Sequence, residues 1–476
     1  MNQIVADVGA LETRIAVLEN EIVKELHFER KNHTSIVNNI YCGTIINIVK
    51  GIGTVFVDIG VEKNVFLHET EVNKPITRLN KGDKLLIQIK KDAISEKGAK
   101  ATTFLSLPGK YVIFLPEEKQ IGISSRITNQ KDRADLEAMG KEIIEGTSHG
   151  IVMRTEALYQ SISKIRQEYQ NLSTIWNSIT LEKANKGDLL FQEDALLDRL
   201  IRDVMNKNTK EFVINDSLEA KRLRAICWEQ NPDDCIKIIE CDPDENLFER
   251  YNIENQWKQA MQNKVSLESG GSIVINTTEA LTVIDVNTGK NIGSDKFEDT
   301  VLETNLEAAV EISRQLRLRD IGGIIVIDFI DMKKKHHHYR LLALLRNELK
   351  KDRQKTVVAG MTKLGLVEMT RKKTREKVDQ MFMEICDSCN GTGDVPSVYQ
   401  DMYTLEKKLR LLVKHKDIEQ IKVSIHPKTW QKIQKEGLNL KVMTDKYNHK
   451  ATFIQDSMLP PSGFKVELYK QKSKRR

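Results

Sequence analysis

No apolar run in the 476-residue chain approaches the ~20 residues of a membrane span. Its opening, MNQIVADVGA, lacks a charged-then-apolar export signal, so a cytoplasmic protein is expected. Six cysteines without a secretion signal argue against a disulfide scaffold. Cys42, Cys227, Cys235 and Cys241 are read as reduced and structural. Proline is scarce and internal repeats are absent, which sets aside a repeat array. Strong net charge is also lacking, at +6, but the basic residues cluster: MKKKHHHYR at 332–340, MTRKKTREK at 369–377 and YKQKSKRR at the end. Such clusters suit a polyanionic partner, and a solvated helix face accounts for any one of them equally.

What is present suits several domains, roughly three or four at about 150 residues each. Residues 40–92 carry short strands, glycine turns, and aromatics interleaved with lysines, the pattern of a small five-stranded barrel of the OB type. Apolar residues three or four apart predict a helix over 157–176. From 272 the pattern sharpens. SIVINTTEALTVIDVNTGK holds two strands, and FEDTVLETNLEAAVEISRQLRLRD is an amphipathic helix stopped by IGG with glycine at its C-terminal cap. The following IIVIDFIDM reads as a strand buried on both faces.

Strand, crossover helix and strand make a βαβ unit, whose strands run parallel. Asp285 closes LTVID and Asp328 closes IIVID, so neighbouring strands would project both carboxylates from one sheet edge, where open α/β sheets place ligands. Two close carboxylates repel unless a cation joins them, and Mg²⁺ suits an oxygen-only donor set. Asn287 falls on the same side of its strand as Asp285 and could orient a phosphate or a water. By the same alternation Asp331 faces away from Asp328 and reads as structural. The pattern alone leaves open a plain alternative, in which both acids simply cap strand ends.

The motifs GGSIVINTTEALTVIDVNTGK, ETNLEAAVEISRQLRLRDIGGIIVIDFIDM and CDSCNGTG closely resemble the RNase E/RNase G family of bacterial endoribonucleases, over essentially the whole chain and nearest its RNase G branch. The resemblance implies a multidomain α/β and α+β fold. An RNase H-like subdomain in two parts, 1–34 and 200–260, would hold an inserted OB-fold RNA-binding domain at 35–103 and a 5′-phosphate sensor region at 104–199. A DNase I-like catalytic subdomain at 261–382, a zinc-link at 383–395 and a small C-terminal domain at 396–476 would follow. It implies metal-dependent cleavage of single-stranded RNA to 5′-monophosphate products in rRNA and mRNA processing and decay. Asp285 and Asp328 would hold Mg²⁺, with Asn287 contributing. The rival readings are a catalytically inactive RNA-binding scaffold of the same fold and a DNA nuclease.

The resemblance also assigns Phe56 and Phe66 to base stacking and Lys97 to an RNA contact, although by pattern alone a phenylalanine within TVFVD, or one flanked by valine and leucine as Phe66 is, is more often core. GIVMRTEAL resembles the family's 5′-monophosphate pocket. Arg154 would pair with the phosphate, Thr155 would begin the next helix, and the backbones of Gly109 and Ile113 would line the pocket. Two departures stand out: Lys355 occupies a position where the family has arginine, and EALY replaces small residues after Arg-Thr. Cys386 and Cys389 form a single Cys-x-x-Cys knuckle, whereas structural Zn²⁺ wants four ligands. In the family two protomers share one zinc through this motif, implying a homodimer or homotetramer. The histidines at 336–338 are expected to form a basic turn facing RNA.

Overall fold

The computed structural model describes residues 2–31, 35–93, 97–179, 184–205, 208–230, 236–289, 297–373, 378–412, 414, 418–446 and 451–470; Cys235 lies outside them. The chain divides into two compact units, Met1–Met381 and Phe382–Arg476. Among the described residues no helix is long and apolar enough to cross a membrane.

In the first unit, five short strands close on themselves. Ile40–Val49 pairs with Thr54–Asp58 and with Lys84–Lys91. The circuit continues through Val65–His68 and Lys100–Thr102 back to Lys84–Lys91. This closed barrel is OB-like, and a sixth strand, Leu189–Phe191, pairs with the start of Ile40–Val49 outside the circuit. Val55, Val57, Val65, Leu67, Ile87 and Ile89 fill it. The barrel is inserted between strands of another sheet, ordered Lys237–Glu240, Thr209–Ile214, Asn2–Val8, Glu12–Glu19, Ile22–Arg30. The first three of these run parallel. Asn215, just past the second, donates its amide to Asp7 at 2.8 Å and accepts from the Val8 N–H at 2.7 Å. A four-stranded sheet around Val112–Leu115 and Gly150–Met153 packs on helices Gln130–Ile143 and Ile162–Ser178 through Phe114, Ile151 and Tyr169.

The sheet that carries the acid pair has six strands, ordered Lys264–Ser266, Ser272–Thr277, Leu281–Asn287, Gly323–Asp328, Val367–Arg371, Thr356–Met361. Only the two βαβ strands are parallel; the rest pair antiparallel. Its core sets Ile284, Val286, Ile325 and Ile327 against Ala309, Ile312 and Leu316 of helix Phe297–Leu318 and Leu341 and Leu345 of helix Lys335–Leu349.

Three expectations are corrected here. Gly323–Asp328 is buried on one face only: Ile325 and Ile327 point inward, while Ile324 is 53% exposed. Four consecutive apolar residues hide the period-two alternation that gives the two faces different environments. The crossover helix does not end on glycine. Asp320 takes the left-handed turn at φ 49°, a conformation Asp tolerates, because its carboxylate is held by Arg371 at 2.6 Å. Thr155–Tyr159 is a 3₁₀ turn and the α-helix begins at Ile162, capped by Ser161, so Thr155 does not start it.

In the second unit, strands Ala451–Gln455, Ile418–Ile425 and Phe464–Lys470 form one sheet in that order. Ile421, Val423 and Ile425 pack on Leu405 and Leu409 of helix Val398–Leu412 and on Ile433.

Candidate active site and nucleic-acid interface

Parallel pairing places Asp285 and Asp328 as direct register partners on adjacent strands, so their Cα atoms are about 4.8 Å apart. Val283, Asp285 and Asn287 alternate outward from Thr282, Ile284 and Val286, and both carboxylates are exposed at the carboxyl edge. Asn287 Nδ2 donates to Asp285 Oδ2 at 2.6 Å, which fixes that carboxylate's orientation. Beside it the chain is close to a turn: a Cβ on Gly289 would lie 2.6 Å from the Gly270 carbonyl oxygen, so only glycine passes there.

The segment after Asp328 is pinned by side chains that pattern reading does not reveal. Asn305, fully buried in the crossover helix, donates its amide to the Ile330 carbonyl at 2.8 Å and accepts from the Ile330 N–H at 3.0 Å. His338 Nε2 donates to the Met332 carbonyl at 2.8 Å, and His337 is buried. His338 therefore anchors the loop and His337 is buried, leaving His336 exposed. The strand ends at Asp328, so the alternation argument does not reach Asp331, which is exposed in the following loop.

The donor set fits a hard divalent cation. It is oxygen-only and open to solvent, and it consists of two carboxylates alone: among the described residues no group of three or more His, Cys, Asp or Glu is placed to hold a metal ion. Such a set suits an ion that keeps several waters.

On the barrel, Phe56 and Phe66 are cross-strand register partners with ring centroids 6.3 Å apart at 70°. Both lie on the outer side, alternating with the buried Val55, Val57, Val65 and Leu67. The core alternative for Phe56 is thereby overturned. Lys97 is exposed two residues before Ala99, whose carbonyl accepts from the Phe66 N–H at 2.8 Å. Lys91 lies within electrostatic reach of Lys100, Lys372, Lys373 and Lys90; burial first, then these like charges, push its pKa down. This cluster of cations gathers where the barrel comes near Lys372 and Lys373, at the end of the acid-bearing sheet opposite Asp328.

Around the predicted 5′ pocket, Arg154 pairs with Asp203 at 2.7 Å and donates to the Gly109 carbonyl. Burial raises the Asp203 carboxyl's pKa, and Arg202 and Arg154 more than reverse this, holding it low. Thr155 Oγ1 lies 3.4 Å from Ser124 Oγ, and half-buried Ile113 pairs with Val152. Glu168, absent from the sequence-based set, accepts from the N–H groups of Lys110, Tyr111 and Val112 at 2.7, 2.8 and 3.0 Å. A Cβ on Gly109 would lie 2.6 Å from the Glu168 carboxyl, so a larger residue there would have to displace that side chain from its three N–H partners. Arg126, also missed, donates to the Asp352 carbonyl at 3.3 Å and is within electrostatic reach of Arg353 and Arg154. Lys355 is exposed, and its carbonyl accepts from the Lys372 N–H at 2.9 Å. Neither missed residue had a signal in the sequence: a lone Glu on a helix and a lone Arg in a loop acquire their partners only on folding.

In the second unit, Cys386 is exposed and Cys389 half-buried, both free thiols. The Cys386 carbonyl accepts from the N–H groups of Cys389 and Asn390 at 3.2 and 2.7 Å. Left-handed Asn390, Gly391 and Gly393 follow (φ 48°, 83° and 81°) and curl the chain into a knuckle. The Ser388 N–H, first among the donors, pulls the Cys386 thiol's pKa down. Two sulfur donors fit half of a Zn²⁺ shell.

An OB-like barrel with an outward aromatic pair, together with a sheet that carries two register-paired acids at one open end, defines a multidomain α/β protein of the nuclease type. Residues 106–374 match the model of the Ribonuclease E/G family. The chain is 35% identical over 427 residues to Ribonuclease G of Haemophilus influenzae, covering 86% of this chain and 87% of that protein. It is 34% identical to Ribonuclease G of Escherichia coli K12 over the same shares. With Ribonuclease E of Buchnera aphidicola it shares 32% identity over 87% of this chain and 44% of that longer protein. The chain belongs to the Ribonuclease E/G family and is, by that membership, an endoribonuclease.

Proposed function

We propose that the chain hydrolyses phosphodiester bonds of single-stranded RNA at Asp285 and Asp328, leaves 5′-monophosphate products, and serves RNA processing and decay. The observation that supports this most is the direct register pairing of the two carboxylates at one open sheet edge. Mg²⁺ held by Asp285 and Asp328 would supply Lewis acidity, making hydroxide available near neutral pH and offsetting charge on the phosphorus. Asn287 fixes the Asp285 carboxylate that would hold the ion, and Asn305 and His338 fix the segment following Asp328. Phe56 and Phe66 offer stacking faces at about 1–3 kcal/mol per base, with little sequence preference. Lys97 and the cations around Lys91 attract the backbone. Arg154, Thr155, Lys355 and the backbones of Gly109 and Ile113 form the proposed seat of a 5′-phosphate.

The test is cleavage of one oligonucleotide sequence made as single-stranded RNA and as DNA, with Mg²⁺ and with excess chelator. RNA alone is cut, and chelator stops it. Binding without cutting would leave the scaffold reading in possession, and equal cutting of DNA would make the protein a general nuclease. In the same assay 5′-phosphorylated RNA is cut faster than 5′-hydroxyl RNA, and Arg154→Ala removes the difference. Equal wild-type rates would dismiss the pocket.

We also propose that Cys386 and Cys389 hold one Zn²⁺ jointly with the same pair of a second copy, giving a dimer or a dimer of dimers. Cys386→Ser/Cys389→Ser should release zinc and lower the mass in light scattering. Unchanged zinc content and mass would remove the shared site.

A further inference from the structure

The hairpin joining Thr356–Met361 to Val367–Arg371 ends in a turn fixed by four hydrogen bonds. The Thr362 N–H donates to the Leu366 carbonyl at 2.7 Å and the Gly365 N–H to the Thr362 carbonyl at 3.1 Å. The N–H groups of Leu364 and Leu366 both donate to Thr362 Oγ1 at 3.2 Å. Gly365 takes φ 86°, which closes the turn. On this tied tip Leu364 is 84% exposed.

Single exposed leucines are ordinary. The location of this one is not. Val367 is the register partner of Ile327, so residues 362–366 extend past the carboxyl end of the strand that Asp328 closes. A Cβ on Gly365 would stand 3.8 Å from Asp331 Oδ1, which sets the turn against the loop that follows Asp328. The only apolar side chain fully offered by this turn is thus carried on a rigid support beside the acid pair.

We propose that Leu364 packs against the nucleobase flanking the scissile phosphate and separates it from its stacked neighbour, so that the phosphate is presented to Asp285 and Asp328. Neighbouring bases in a single strand stack, and apolar side chains that part such stacks are a recurrent device of nucleic-acid-binding proteins. A leucine contacts the face of any base, so it selects an unpaired base rather than a particular letter. The inference rests on the nuclease reading above.

The test crosses enzyme variants with substrate variants. Wild type and Leu364→Ser are given a single-stranded RNA with one cleavage site, intact or with an abasic nucleotide on either side of the scissile bond. For wild type, one abasic position lowers kcat/KM about 10-fold or more. Leu364→Ser is slower on intact RNA by a similar factor and indifferent to that abasic position, while Leu364→Phe restores both rate and sensitivity. A general structural defect would slow every substrate alike and leave the abasic penalty intact. Wild-type cutting with the same abasic penalty in Leu364→Ser, or full activity of Leu364→Ser on intact RNA, overturns the proposal alone. Absence of wild-type cutting overturns the nuclease reading and this proposal with it.

Discussion

Asp328→Asn is expected to lower the cleavage rate by at least about 10³-fold, equivalent to roughly 4 kcal/mol of transition-state stabilisation. The substitution is isosteric, and the carboxylate is exposed at a strand end, so the fold does not depend on it. The thermal midpoint should stay within about a degree of wild type, and binding of single-stranded RNA should persist through the barrel. Asp285→Asn should give a loss of similar size. Because the two carboxylates act as a unit, the double variant should be scarcely worse than either single one. Asn287→Ala should cost less, since it removes the donor that orients Asp285 but leaves both acids in place. Single-turnover cleavage at saturating enzyme separates these effects from binding. Cleavage retained to within about 10-fold by Asp328→Asn would move the chemistry elsewhere in the molecule.

The acid pair was legible because a strand, a crossover helix and a second strand commonly lie as parallel neighbours, and each apolar run here leads into an Asp. The environment of the pair was less legible. In IIVID every residue before the acid is apolar, so the face left open at Ile324 is invisible until the helices are seen on the other side. The alternation of TVFVD is masked in the same way, and only the barrel's closure shows that Phe56 points out and Val55 and Val57 point in. Asn305 and Glu168 were not readable at all. Their partners lie 25 and 56–58 residues away, and nothing local distinguishes them from other polar helix residues. Asp320 shows the converse: the glycines after it promised a glycine cap, but a long-range partner decides which residue turns left-handed.

That partner, Arg371, is where the largest loss of stability is expected. Its guanidinium is 4% exposed, with Nε 2.7 Å from Asp352 and Nη1 2.6 Å from Asp320 and 3.1 Å from the Ile321 carbonyl. Asp352 follows helix Lys335–Leu349 and Asp320 follows helix Phe297–Leu318, so one side chain ties both crossover ends to the last residue of Val367–Arg371. Burial pulls the Arg371 pKa down, and Asp352 and Asp320 more than reverse this. Arg371→Ala strands two buried carboxylates, which should cost about 3–5 kcal/mol and lower the thermal midpoint by roughly 6–15 °C. Arg371→Lys keeps the charge but cannot reach both acids in a planar fork, so it should fall between Ala and wild type. The informative variant is Arg371→Met combined with Asp320→Asn and Asp352→Asn. Most of the cost in Arg371→Ala is orphaned charge rather than lost attraction, so this combination should recover most of the midpoint. If it is no more stable than Arg371→Ala, attraction within the triad, and not the penalty for unpaired carboxylates, holds this end of the sheet together.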